Sequence, residues 1–267
     1  MKRLPAVAGQ FYHGNPSRLK NQVEQYIVKD AVREKVIAIV SPHAGLMYSG
    51  HVAGAVYSSI RFPKTFILLG PNHSGLGPNM SITGSGEWEI PTAIFAIDEE
   101  LGIRIKKKVP RIIEDTQAHM HEHSLEVQLP FIAYSSDECR ILPISISRAS
   151  LEECEATGRA IAEAVRECGY DVVIVASTDM SHFEQDAVAR KIDNLAIKEV
   201  LGLNPEGLYS VVVKERITMC GFIPTTIMLY AARELGAVEA RLIKYATSAE
   251  VSGDFDRVVG YAGIIIK

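Results

Sequence analysis

Four cysteines occur in 267 residues, Cys139, Cys154, Cys168 and Cys220, and no two form a CxxC pair. A zinc ribbon or a thioredoxin-type redox motif is therefore not expected. No apolar run approaches the length that crosses a bilayer. The opening MKRLPAVAGQFYHGN carries basic residues but lacks the apolar stretch of a signal peptide. These absences lead us to expect a cytoplasmic chain with reduced thiols and no membrane partner. The net charge is only −4, and acid and base alternate without a basic stripe. A nucleic-acid partner is not expected either. There is a single tryptophan, no internal repeat and no linker that would divide the chain.

What is present is ordinary globular composition, 47% hydrophobic and 22% charged, enough to bury a large core without staples. Three apolar runs organise the rest. Val36 to Val40 (VIAIV) empties into Ser-Pro-His43-Ala-Gly, and Phe66 to Leu69 empties into Gly-Pro-Asn-His73-Ser-Gly. Val172 to Ala176 (VVIVA) empties into Ser-Thr-Asp179-Met-Ser-His182. Each reads as a buried strand running into a tight polar loop. Further strands are expected at 141–146, 241–246 and 258–266, with a hairpin or irregular excursion over 81–97. Helices are expected after Asn15-Pro16 with Leu19, Val23, Tyr26 and Ile27 at helical spacing, after 50, over 98–108, from 120 to 134 with a kink at Pro130, and after the capping box Ser150 to Glu153. Others span 187–201, follow Asn204-Pro205, and run from Pro224 to a stop at Gly236. The order predicts a single α/β domain over residues 1–267, with a mixed, mostly parallel central sheet and flanking helices.

In open sheets of this kind, ligands bind beyond the carboxyl ends of the strands. His43 and His73 sit there in loops stiffened by proline and glycine, and imidazole nitrogen suits iron, copper and zinc. Asp179 and His182 are three apart, so a helical turn would face them together as an acid/base pair, supports for a metal-bound histidine, or ligands. Cys220 precedes an apolar helix, whose N-terminus is expected to lower its pKa toward the metal-binding thiolate. His119, His121 and His123 alternate, so a strand there would bring them to one face as a metal site. Alternatively Glu122, His123 and Glu126 order the loops around the site. Phe11, Tyr12 and Tyr48 are aromatics placed to wall a pocket.

Seven segments appear together: AGQFY (Ala8 to Tyr12), PHAG (Pro42 to Gly45), GPNHSG (Gly70 to Gly75), EHSLEVQLPF (Glu122 to Phe131), STDMSH (Ser177 to His182), MCG (Met219 to Gly221) and YATS (Tyr245 to Ser248). In this order they resemble the Memo family (mediator of cell motility and its bacterial and archaeal relatives) over nearly the whole chain. The resemblance implies a fold like that of the class III extradiol dioxygenases, which use non-haem Fe(II). It also implies metal ligands at His43, His73 and Cys220, with Asp179 and His182 beside them as catalytic groups. Phe11 and Tyr48 would line the pocket, and His123 is grouped with them as substrate-binding. The dioxygenases use a carboxylate where this chain offers a thiol, so ring cleavage does not simply carry over.

The leading expectation is a mononuclear iron or copper site serving an oxygen-dependent oxidoreductase that acts on a small molecule. One alternative is a non-catalytic protein that binds a metal or a peptide. Another is a zinc hydrolase using metal-activated water. The chain is expected to act alone or as an oligomer.

Overall fold

The computed structural model describes residues 2–136 and 138–267. The chain opens with β1 (Lys2–Arg3) and α1 (Pro16–Glu24), then alternates β2 (Ala38–Ser41), α2 (Leu46–Ser58) and β3 (Thr65–Pro71). Three short strands follow, β4 (Met80–Ile82), β5 (Glu87–Ile90) and β6 (Ala93–Ala96), before α3 (Glu99–Lys108), β7 (Ile113–Glu114) and α4 (Gln117–Met120). A 3-10 turn (Glu126–Gln128) runs into α5 (Leu129–Ser135). Next come β8 (Arg140–Ile146), α6 (Leu151–Cys168), β9 (Val172–Ser177), β10 (His182–Glu184) and α7 (Asp186–Leu201). Helices α8 (Pro205–Glu215) and α9 (Phe222–Glu234), strand β11 (Ala240–Thr247), the short α10 (Ala249–Ser252) and β12 (Val258–Ile266) complete the chain.

The main sheet has the order β10-β12-β2-β9-β3-β8-β4-β7, with β11 also paired to β12. Its centre, β2-β9-β3-β8, is parallel throughout. Strands β12 and β4 add antiparallel flanks, and β11 runs antiparallel to β12. The expected mixed, mostly parallel α/β sheet is thus what forms. A smaller sheet, β1-β5-β6, carries the hairpin anticipated in the 81–97 stretch.

Register explains where the site lies. Ser41 pairs with Ser177, Leu69 with Ala176 and Pro71 with Ile146, so β2, β9, β3 and β8 end at one edge. The loops carrying His43, His73 and Asp179 leave that edge together. Behind it, Ile39, Ile67, Leu68, Leu69 and Ile174 are fully buried. Each contributes roughly 1.5–3 kcal/mol by leaving water, so the loops spring from a rigid base.

Local signals account for several helix ends. Asn15 caps α1 through Arg18 N, Asp98 caps α3 through Leu101 N, and Asn204 caps α8 through Gly207 N. The capping box of Ser150 and Glu153 opens α6 as expected, and Gly169, at φ 73, closes it. Three expectations differ from the structure. Tyr26 and Ile27 lie beyond α1, which ends at Glu24. Residues 121–125 are not helical; Pro130 instead sits in the first turn of α5, where its missing N–H costs nothing. The 178–182 segment makes no helical turn and enters β10 directly.

Candidate metal centre

His43 follows β2 and is 1% exposed. Its backbone N–H donates to Asp179 Oδ1 at 2.8 Å, which ties the first loop to the third. Its Nδ1 lies 2.9 Å from Ser177 Oγ at the end of β9. That hydroxyl donates its one proton to Ser124 O at 2.6 Å and accepts from Gln128 Nε2 at 2.8 Å. It therefore accepts from His43 as well, so Nδ1 carries the ring proton and Nε2 is free as a ligand atom.

His73 follows β3 and is held the same way by Glu122. The carboxylate accepts from His73 N at 2.5 Å, from His73 Nδ1 at 2.9 Å and from Ser124 N at 2.8 Å. The proton again sits on Nδ1, and Nε2 again faces outward, the carboxylate–histidine arrangement common behind metal ligands. Burial works to raise the pKa of Glu122, but the His73 hydrogen bond and charge, with the Ser124 amide, hold it down at about 2.

The third imidazole is His123. Its ring stacks on His73 with centroids 4.6 Å apart and stands edge-on to His43 at 5.4 Å. Among the described residues, His43, His73 and His123 form a group whose ligand atoms all lie within 4.8 Å of one another. Burial pulls His123 down to about 4 against the opposing pull of Glu122. Burial also pushes His43 well below the usual imidazole range, helped by His123 and His73. Both rings are thus neutral near pH 7, the form that binds metal. The free Nε2 atoms, neutral rings and carboxylate and hydroxyl supports fit a resident ion.

Cys220 also reaches this place. Its Sγ lies 3.3 Å from His43 Nε2 and accepts from Asp179 N at 3.2 Å. The turn that carries it is tight: a Cβ on Gly221 would meet Ser177 O at 2.4 Å. The expected sign of its pKa shift is corrected here. Although Cys220 sits just before α9, burial pushes the thiol up and the Asp179 charge adds to that, outweighing any helix-start effect.

Asp179 is 4% exposed, and burial raises its pKa despite the amide of His43 that it accepts. His182 is half-buried at the rim. Thr218 O accepts from its Nδ1 at 2.9 Å, leaving Nε2 as the unprotonated nitrogen. Phe11 packs on the far side of His123 at 4.6 Å. Tyr48 lies in the first turn of α2 and packs with Val52, Ala246 and Tyr261.

The three-histidine alternation resolves differently from the expectation of a shared strand face. His119 is buried against Trp88 and His121 is exposed; of the three, His123 alone joins His43 and His73. The segment turns after α4 instead of forming a strand, so the side chains diverge. His123 was expected to bind substrate, to order the loops, or to share a metal with His119 and His121; its place beside His43 and His73 is what the sequence did not show. The available signal was its position directly after Glu122, an acid able to brace a neighbouring imidazole.

Three imidazoles and a thiol on the carboxyl edge of an open, mostly parallel sheet define a candidate metal protein of the α/β class. The chain belongs to the Memo family: the family profile described as "Memo-like protein" matches residues 3–265. A "MEMO1 family protein" of Methanosarcina barkeri is 39% identical over 267 residues, covering 99% of this chain and 100% of that relative. One of Aquifex aeolicus is 40% identical, covering 98% of each chain. Among solved structures, an uncharacterized protein of Escherichia coli K12 superposes with a TM-score of 0.60. It covers 86% of this chain and 100% of its own at 13% identity, which shows a shared fold. Among the described residues no helix is long and apolar enough to cross a membrane.

Proposed function

We propose that this protein is a mononuclear iron- or copper-dependent oxidoreductase that uses oxygen to oxidise a small, phenolic molecule. The observation that carries this reading is the convergence of His43, His73 and His123 within 4.8 Å at the ends of the parallel strands. His43 and His73 would hold the ion through Nε2. His123 and Cys220 stand next to them as further ligands, the thiol binding as thiolate once an ion offsets its burial. When bound, the metal supplies the redox chemistry that side chains lack. The chain's own groups supply the rest. His182, with Nε2 free, takes a proton from the substrate hydroxyl at the rim. Asp179 positions the His43 loop through its amide and lies buried beside the thiol. Phe11 and Tyr48 would wall the substrate, and His123, where it is not a ligand, would contact it.

Metal analysis after anaerobic purification tests the ligand set. Wild type is expected to hold about one ion per chain, with large losses in His43→Ala, His73→Ala and Cys220→Ser. Equal metal content in all of them would end the proposal. Oxygen uptake with a panel of catechols tests the activity, and His182→Ala is expected to slow it by about 100-fold while metal is retained.

A second reading is favoured by the nitrogen-rich set itself. Three histidine nitrogens and an open position are also the ligand pattern of catalytic zinc, which makes water a nucleophile near neutral pH. Ester or amide hydrolysis restored by zinc, with no oxygen uptake, would select this reading over the first.

A further inference from the structure

Away from the metal centre, a cavity of about 570 Å³ lies between β1, the turn after β4, and α4. That volume is in the range that encloses a drug-sized molecule. Leu4, Ala6, Ile82, Trp88 and Met120 give it an apolar lining with a flexible thioether at the mouth.

The cations around it are already committed, while Glu87 in the wall has no ion-pair partner among the described residues and lies near Lys2. Lys2 pairs with Glu89 at 2.5 Å, and Glu114 pairs with Lys106. The Arg3 guanidinium donates to His119 O at 2.7 Å, Glu122 O at 2.7 Å and Glu126 Oε2 at 2.6 Å. It also lies 4.2 Å from the centre of the Trp88 ring. Among the described residues the wall therefore offers no unpaired cation to hold a phosphate or carboxylate. His119, depressed to about 4 by burial and by the Arg3 charge, is neutral as well. Hydrogen-bonding capacity is nevertheless left over. Trp88, 1% exposed, has no partner for Nε1 among the described residues, and Thr83 Oγ1 has none either. Buried polar atoms are normally satisfied, so an unmet one favours a ligand that can pair with it.

We propose that this cavity is a second binding site, taking a neutral molecule of two or three aromatic rings that carries one hydrogen-bonding group. The rings would pack on the apolar lining beside Trp88. The polar group would meet Thr83 or Trp88 after a small side-chain rotation. None of the lining residues belongs to the three-histidine group, although Arg3 links the two places by donating to Glu122 O.

The test uses the one tryptophan in the chain. N-phenyl-1-naphthylamine, a neutral three-ring amine, absorbs where tryptophan emits, so energy transfer from Trp88 reports its binding, and the variants below assign that binding to this cavity. Titrated into the full-length protein, it is expected to give transfer that saturates at one molecule per chain. Two variants fill the space, Ala6→Phe and Thr83→Leu, each checked for native circular dichroism. Affinity should fall at least about tenfold in whichever of them folds, and should be unchanged in His43→Ala. Transfer that does not saturate, affinity preserved in the folded filling variants, or loss on replacing His43 would each overturn the proposal.

Discussion

Glu122 braces His73 at two points, and its Oε1 also lies 3.6 Å from His123 Nδ1. Glu122→Gln keeps its size and removes its charge. Metal affinity is expected to drop about 10–100-fold, read by competition with a chelator; unchanged affinity would mean that the carboxylate only packs. At this scale the sequence was partly legible. His43 and His73 declare themselves because each follows an apolar run in a loop stiffened by proline and glycine. The contact of Cys220 with His43 was foreshadowed by a turn before a helix and by the family resemblance, which implied that both hold one metal. The direction of its pKa shift was not readable, because it depends on burial and on Asp179, 41 residues away. His123 was hidden by two neighbouring histidines of the same type that point elsewhere.

Among elements, the amino-terminal segment has the least obvious role. Glu126, in the 3-10 turn, accepts from Arg3 Nη1 at 2.6 Å, Ala6 N at 2.8 Å, Val7 N at 3.0 Å and Tyr12 OH at 2.5 Å. This clasp holds residues 3–12 across the site and presses Phe11 onto His123. Both charges are nearly sealed, with side chains 8% and 0% exposed. Glu126→Leu leaves Arg3 buried without its partner and is expected to cost about 3–5 kcal/mol in urea unfolding. Adding Arg3→Met should return most of that loss, and a single variant as stable as wild type would refute the clasp. Sequence periodicity gave no hint of it, since the two partners are 123 residues apart. Helices with their own caps, such as α6 and α8, were readable because the signal and the element are adjacent. Residues 121–125 were not, because contacts set them: Ser124 Oγ donates to Pro71 O and Ser124 N to Glu122.

For the whole molecule, buried imidazoles predict how stability follows acidity. His119 falls from an ordinary 6.5 to about 4 in the folded chain, through burial and then the Arg3 charge. Above pH 6.5 the ring is neutral in both states and the effect is silent. As pH falls, the unfolded chain binds a proton that the folded chain refuses, so stability declines, by about 3 kcal/mol near pH 4. Unfolding measured from pH 7 to pH 4.5 should show this slope, and His119→Gln should flatten it; an identical slope would refute the assignment. The sheet was the most legible feature at this scale, because uninterrupted apolar runs of strand length are what a doubly covered parallel centre requires. The order of its strands was not, because it depends on pairings between distant runs. That distance has a consequence for assembly. His43 and Cys220 are 177 residues apart, yet their side chains touch. A ribosome must deliver nearly the entire polypeptide before sulfur meets imidazole, so the candidate pocket is incomplete on a half-made chain.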